Sequence, residues 1–343
     1  MKCVAVYDMF IPEHCFVDAI KESGLFDEFE TYGWKQDQDR AEARNTIRQM
    51  ETKGSRAFEL DPELIAAMQD ADVLLTNLVM VPSEVIENAP KLKYICSCRG
   101  GLENIDMDAA KKRGIPVFHA PAHNAVGVAE MCIGLMICES RNIARSNDAL
   151  KSGQWREQYP NSARIQEMRS LTVGIIGFGT IGRLVANYLK AFGSRVIVQD
   201  PFVPADDVRA AGCEPVTKDE LLAQADIITL HGRIGPNDPP IIGCEELEKM
   251  KPSAYLVNTA RAVLVDMEAL EEALEQHKIM GAALDVFPHE PLTADDKITQ
   301  LDNVTITSHR GGTTVESFER APELVLSYLK EFVETGKGRS VVM

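Results

Sequence analysis

The sequence predicts an α/β protein built on a doubly wound parallel sheet, and three observations carry that prediction. From Leu171 onward, short β-branched runs alternate with helical segments, the pattern of a parallel sheet covered on both faces. A GxGxxG motif, Gly177 to Gly182, sits where the first of these runs meets a helical stripe. The length of 343 residues allows two domains of ordinary size, each burying its own core.

The strand-like runs are Thr172–Ile176, Arg195–Gln199, Asp226–Leu230, Ala254–Asn258, Met280–Leu284 and Val304–Thr307. Six strands make the full doubly wound dinucleotide-binding fold. Behind the first run, Ile181, Leu184, Val185, Tyr188 and Leu189 form the stripe of a helix lying on a sheet. Gly177, Phe178, Gly179, Thr180, Ile181 and Gly182 therefore occupy a strand-to-helix turn. There the glycines serve a tight turn, close backbone approach to a pyrophosphate and close helix packing, with the helix N-terminus facing the anion. The same motif alone also occurs in flexible loops. Here Asp200 ends the second run, near the ~20-residue offset of the acid that accepts hydrogen bonds from an adenine ribose. A carboxylate at that point repels the 2′-phosphate of NADP, and Gln199, Pro201 and Phe202 beside it supply no cation, so NAD is the expected cofactor.

Ligands of such sheets sit beyond the carboxyl ends of the strands. The residues that follow the runs are Gly177, Asp200, His231, Thr259 with Arg261, Asp285 and His309. One polar residue at a strand end reads equally well as a turn or cap. Two histidines, an arginine and an aspartate on one edge read as chemistry, with His231 and Thr259 expected to line the cofactor.

Composition narrows the classes. An apolar fraction of 45% and a charged fraction of 26% are those of a globular protein, while 6% aromatics leave little for stacking on bases. A net charge of −16 opposes partners bound through phosphate backbones or acidic lipids. The eight cysteines form no CxxC pair and read as reduced core residues; Cys96 and Cys98 make a CxC with no further ligand at metal spacing, so no metal is expected. Met1–Asp8 runs into a strand without an export signal, and the apolar stretch Ala125–Cys138, interrupted by Glu130, is short of the roughly 18 residues of a membrane span. The expected compartment is the cytoplasm.

Six segments, in order, resemble the D-isomer-specific 2-hydroxyacid dehydrogenases, the family of the phosphoglycerate, glycerate and D-lactate dehydrogenases. They are RGGLENID (Arg99–Asp106), NAVGVAE (Asn124–Glu130), GIIGFGTIG (Gly174–Gly182), NTARAVLVD (Asn258–Asp266), ALDVFPHEPL (Ala283–Leu292) and TSHRGGTT (Thr307–Thr314). The resemblance implies that Arg261 binds and polarises the substrate, that His309 is the general acid and base, and that Glu290 is the acid paired with it. It also implies that Asp285 holds the nicotinamide carboxamide, and that Arg99, Gly100 and Gly101 form the loop whose amides meet the substrate carboxylate. The chemistry agrees: a planar guanidinium grips a 2-oxo carboxylate bidentately, and an imidazole exchanges the hydroxyl proton.

The same resemblance implies an architecture. A dinucleotide-binding domain, 120–309, is inserted into a smaller flavodoxin-like substrate domain, 1–119 and 310–343, with the active site in the cleft. Strands are expected at Lys2–Tyr7, Val73–Thr76, Lys93–Ser97 and Pro116–Phe118, with a returning helix at Val315–Glu334 and no further domain after Met343. The helix from Asn124 resembles the family's dimer-forming helix, which implies a homodimer acting on a small 2-hydroxy or 2-oxo acid, without nucleic acid or membrane.

Some positions depart from the family pattern. Ser308 stands for a proline, Arg310 for an apolar residue and Ala262 for a glycine; Gly232–Asp238 differs in its loop, and Gly33–Ser55 is a polar insertion. Arg99 and Arg310 read either as cations facing a sugar acid or phosphorylated substrate or as ion-pair residues of the surface. Two other functions stay open: an NAD-responsive regulator of the corepressor type on the same fold, and formate dehydrogenase, which Glu290 disfavours because glutamine is expected there.

Overall fold

The computed structural model covers residues 1–343 and describes all of them except Pro236 and Asn237 and the side chain of Arg40. The loop departure read at Gly232–Asp238 thus lies partly outside the described residues. The chain divides into two compact units, Met1–Asn124 with Thr314–Met343, and Ala125–Thr313. Both crossings fall a few residues later than 119/120 and 309/310.

Five strands come first: β1 (Lys2–Tyr7), β2 (Glu28–Gly33), β3 (Val73–Thr76), β4 (Tyr94–Ser97) and β5 (Val117–His119). Seven follow: β6 (Thr172–Ile176), β7 (Arg195–Gln199), β8 (Glu214–Pro215), β9 (Ile227–Leu230), β10 (Tyr255–Asn258), β11 (Gly281–Leu284) and β12 (Val304–Ile306); β13 (Val341–Val342) closes the chain. The strands β3, β9, β10 and β11 are buried along their whole length, as strands with helices on both faces must be.

In the first unit the order is β13-β5-β4-β3-β1-β2, parallel except for β13, which pairs antiparallel with β5. This is the flavodoxin-like order with one added edge strand, and the chain direction reverses between β1 and β3. The sequence gives no apolar alternation for β2, Glu-Phe-Glu-Thr-Tyr-Gly, because it is an edge strand whose charged residues face solvent. The polar insertion from Gly33 resolves into the end of β2 and a 14-residue helix, Arg40–Lys53. Asp39 caps it by accepting from the amides of Ala41 (2.7 Å) and Glu42 (2.9 Å), and Glu42 reciprocates from the amide of Asp39 (2.9 Å). The returning helix breaks at Arg320 into Val315–Glu319 and Ala321–Thr335, where Pro322 fits only a first turn.

In the second unit the order is β12-β11-β10-β9-β6-β7-β8, all parallel. The seventh strand beyond the expected six is the two-residue edge Glu214–Pro215. The helix Thr180–Ala191 buries Gly182, Val185, Ala186 and Leu189 against the sheet. The helix Ala125–Ser140 buries most of its residues within its own unit, and Glu130 is exposed. Among the described residues no helix is long and apolar enough to cross a membrane. Most cysteines are buried and all are free, but Cys244 is exposed rather than a core residue.

One buried ion pair ties that helix to the far edge of the sheet. Glu139 Oε1 lies 2.5 Å from Arg145 Nη2, and Glu139 Oε2 accepts from the Thr305 hydroxyl at 2.6 Å. Burial pushes the Glu139 carboxyl up and the guanidinium opposes it. Truncating one partner strands the other charge out of water. Glu139→Ala is therefore expected to cost about 3–5 kcal/mol, read from urea unfolding, while Thr305→Val, which removes one neutral donor, costs about 1–3 kcal/mol.

Candidate active site

The register of the second sheet brings its strand ends to one line. Across the sheet, Gln199 pairs with Ile176, Ile176 with Leu230, Leu230 with Asn258, Asn258 with Leu284 and Leu284 with Ile306. The residues that follow, Asp200, Gly177, His231, Thr259, Asp285 and Thr307, consequently leave the sheet along a single edge, and the strand order reverses there between β6 and β9.

At that reversal Gly177 has φ +96, and a Cβ on it would run into the backbone of His231 and Gly232. A Cβ on Gly182 would strike the carbonyl of Gly177. Both positions are closed by the protein itself. Gly179 differs: it caps the helix Thr180–Ala191, and the space its Cβ would enter is open. That cradle, at a helix N-terminus, suits a pyrophosphate. Asp200 is fixed by the amides of Phe178 (2.6 Å), Phe202 (2.8 Å) and Val203 (3.2 Å). Arg183, which the sequence reading passed over, lies 4.6 Å over the Phe178 ring. A cation does enter this neighbourhood, one residue past the last glycine of the motif.

Two buried polar atoms on this edge have no protein partner: Nδ1 of His231 and Oγ1 of Thr259. His231 uses Nε2 on the Thr229 hydroxyl at 3.0 Å, and burial lowers its pKa to about 4, so the ring is neutral near pH 7. Orphaned donors and acceptors inside a protein are costly unless a ligand satisfies them. Together with the open cradle at Gly179, they fit a dinucleotide.

Farther along the edge, Asn258 shapes the loop that carries Arg261. Its Nδ2 donates to the Arg261 carbonyl (2.9 Å) and its Oδ1 accepts from the Ala260 amide (3.0 Å). The Arg261 side chain is exposed, bonded to the Ala260 carbonyl at 2.7 Å and, among the described residues, in no ion pair. Asp285 is buried; Oδ1 accepts from the Thr307 hydroxyl (2.6 Å) and the Arg310 amide (2.7 Å), and Oδ2 from the Gly311 amide (2.7 Å). It holds the turn in which His309 adopts φ +53. His309 Nδ1 then lies 3.0 and 3.2 Å from the two oxygens of Glu290, and Glu290 is itself held by the Phe287 amide at 3.1 Å. A carboxylate only accepts, so Nδ1 carries a proton, and Nε2 is the nitrogen at which the ring can gain or lose one.

In the first unit, Val6, Thr76, Ser97 and His119 likewise fall on one register line. Buried Asp8 accepts from the amides of Phe10 (2.9 Å) and Leu78 (3.1 Å) and from Asn77 Nδ2 (2.9 Å). The Asn77 carbonyl (3.3 Å) and the Val79 carbonyl (2.8 Å) in turn receive Asn104 Nδ2, at the end of the Arg99-Gly100-Gly101 loop. Arg99 Nη2 stands 3.6 Å from both Glu51 and Glu103, beyond hydrogen-bond length, and its Nε is buried without a partner. Glu51 belongs to the helix of the insertion, which accordingly adjoins this loop. His123 was also missed; burial and the Arg99 charge hold its pKa low. Arg310 is half-buried and, among the described residues, without an ion pair.

A family model, D-isomer specific 2-hydroxyacid dehydrogenase, NAD binding domain, matches residues 133–311. The D-3-phosphoglycerate dehydrogenase of Methanocaldococcus jannaschii is 40% identical over 283 residues, 82% of this chain and 53% of that protein. The hydroxypyruvate reductase of Thermotoga maritima is 38% identical over 273 residues, 78% of this chain and 87% of that protein. The chain spans about half the length of the D-3-phosphoglycerate dehydrogenases it matches. A D-isomer specific 2-hydroxyacid dehydrogenase from Lactobacillus delbrueckii ssp. bulgaricus, solved in NAD complexed form, has the same fold, with TM-score 0.78 and 24% identity over the whole of both chains. The cofactor of the matched domain is NAD, and the chain belongs to the D-isomer-specific 2-hydroxyacid dehydrogenase family.

Proposed function

We propose that the protein is an NAD-dependent dehydrogenase interconverting a D-2-hydroxy acid and its 2-oxo acid. The observation that carries this reading is the His309–Glu290 pair on the same sheet edge as the glycine turn and Arg261. The bound cofactor would supply a hydride acceptor when oxidised, for the hydroxy acid, and a hydride donor when reduced, for the oxo acid. His309 Nε2 takes the hydroxyl proton in oxidation and returns it in reduction, while Glu290 orients the ring and stabilises its charged form. Arg261, free of any ion pair among the described residues, grips the carboxylate and polarises the carbonyl oxygen. Asp285 keeps the His309 turn in place, and Arg99, Gly100 and Gly101 are assigned to the substrate. A homodimer is proposed through the helix Ala125–Ser140, which resembles the family's dimer-forming helix.

The cofactor assignment rests on Gly179, Asp200, His231 and Thr259. Gly179→Val fills the open cradle and is expected to weaken NADH binding in fluorescence titration at a stability cost of no more than about 1 kcal/mol, that of a poorer N-cap. Gly177→Val, forced into backbone, is expected to destabilise the second unit as well. Wild-type kcat/KM with NADP equal to or above that with NAD would remove Asp200 from the ribose.

The proton-transfer assignment is tested by His309→Ala, expected to lose roughly 10²–10⁴-fold in kcat with NADH affinity kept. Arg261→Lys is expected to lower kcat and raise KM together, since an ammonium lacks the planar fork. Oxidation needs neutral His309 and reduction needs it protonated. Oxidation therefore gains and reduction loses as pH rises. NADH binding with no turnover of any 2-oxo acid would replace the enzyme reading with that of an NAD-responsive regulator.

The relatives' names, D-3-phosphoglycerate dehydrogenase and hydroxypyruvate reductase, and the two cations Arg99 and Arg310 support a sugar acid or phosphorylated acid as substrate. Such a substrate supplies the anionic or hydroxyl oxygens that a guanidinium engages. In an NADH-oxidation screen, hydroxylated and phosphorylated 2-oxo acids are expected to exceed pyruvate in kcat/KM, and Arg310→Leu to narrow the gap. Pyruvate ahead, with Arg310→Leu leaving the ranking unchanged, would reject it.

A further inference from the structure

We propose that His14, Cys15 and Glu319 form a binding site for a zinc-class divalent cation, with one coordination position left to solvent. The three side chains offer an imidazole nitrogen, a thiol sulfur and a carboxylate oxygen, all within 4.8 Å of one another. They are the only such group of three among the described residues. Nitrogen, sulfur and oxygen together make a borderline-soft set that suits zinc over magnesium or calcium, which take oxygen ligands. The His14 Nε2 to Cys15 Sγ distance is 3.5 Å. The edge of a tetrahedron with ordinary Zn–N and Zn–S bond lengths is about 3.6 Å.

The scaffold fixes these groups from two sides. His14 and Cys15 lie on the first turn of the helix Glu13–Ser23, and Glu319 ends the helix Val315–Glu319 in the same unit. Phe10, just ahead of the first helix, stacks on Phe318 at 4.9 Å between ring centroids, so the residue next to Glu319 is clamped beside the His14 turn. Below, Phe16, Ala19 and Ile20 share a core with Val325 and Leu329 of the following helix. Cys15 is 9% exposed while His14 is open to solvent, which leaves the cation an entry path and room for a water. Glu319 takes part in no ion pair among the described residues.

The electrostatics favour a cation over a reactive thiol. The carboxylates of Glu319 and Asp18 lie near the Cys15 sulfur, and a bare thiolate would add a like charge to them. A dication inverts that balance, because the same carboxylates then face opposite charge. On binding, the Cys15 thiol releases its proton to solvent and its sulfur donates to the metal. The site lies outside the proposed hydride-transfer machinery and does not depend on it. Bound metal would join the first helix of the chain to the first helix after the return crossing, and stabilise this unit by mass action.

Cobalt(II) is the probe, because a thiolate ligand gives it a near-ultraviolet charge-transfer band. Titration of the full chain is expected to show one equivalent of cobalt with that band, displaced by zinc, and a zinc-dependent rise in Tm. The band disappears in Cys15→Ser, and affinity falls roughly tenfold or more in His14→Gln and Glu319→Gln. These two substitutions sit on surface positions and keep the proposal testable if Cys15→Ser folds poorly. Cys244→Ser retains the band, which excludes the exposed thiol as its source. Loss of the band in Cys244→Ser, cobalt binding without a thiolate band, or affinities equal in wild type, His14→Gln and Glu319→Gln would each mean an adventitious ion only and overturn the site.

Discussion

The register row of the second sheet is the constraint on which the rest of the proposed site depends. Hydrogen bonding between parallel strands fixes which residues lie side by side, and here it sets Gln199, Ile176, Leu230, Asn258, Leu284 and Ile306 on one line. A slip of one residue in any strand would turn its buried side chains to the other face and move its terminal residue along the edge. Because the core on both faces opposes such a slip, the positions of Asp200, His231, Thr259 and Asp285 are set by apolar packing far from any chemistry. The accuracy of the edge is inherited from the core.

Beyond that row, polar contacts take over from sheet pairing. Asp285 shows how: a buried carboxylate with three donors from Thr307 to Gly311 fixes a turn whose φ at His309 is one that most residues avoid. Asp8 does the comparable work in the first unit, where backbone amides and Asn77 gather around it and Asn104 extends the network to the glycine loop. In both cases an ionisable group buried near a strand end is satisfied by backbone donors. Among the described residues five buried side-chain atoms stay unsatisfied and stand apart from that rule: Asn104 Oδ1, Thr76 Oγ1, His231 Nδ1, Thr259 Oγ1 and Arg99 Nε. The last four of these lie at or just past the carboxyl ends of strands, where doubly wound sheets take their ligands.

The central strands were legible in the sequence because full burial demands unbroken β-branched and aliphatic runs, as in Ile-Ile-Thr-Leu and Tyr-Leu-Val-Asn. The glycine turn was legible because only glycine meets the contacts at Gly177 and Gly182. Edge elements were not. The strand β2 and the two-residue β8 carry charged residues or proline, since an edge has one solvated side and little core to impose a pattern. The break at Arg320 was hidden because apolar spacing continues through it, although Pro322 signals a helix start. Arg183 and His123 were passed over for another reason: each is set apart only by its surroundings, the Phe178 ring for one and burial with the Arg99 charge for the other, which only three dimensions reveal.

The Arg99 loop, which the proposed function assigns to the substrate, is of this second kind. The polar groups at the strand ends are tied to the fold by the register of the sheet. Charge in the glycine loop is set by Arg99, whose carboxylate neighbours come from Glu103 in its own loop and Glu51 in the inserted helix. At 3.6 Å neither carboxylate accepts a hydrogen bond from it, so the guanidinium is oriented by charge while its donors remain free. An arginine held that way can give its donors to an incoming anion without first breaking a strong pair. The inserted helix, capped by Asp39 and carrying Glu51, is thereby part of what sets the charge this loop presents.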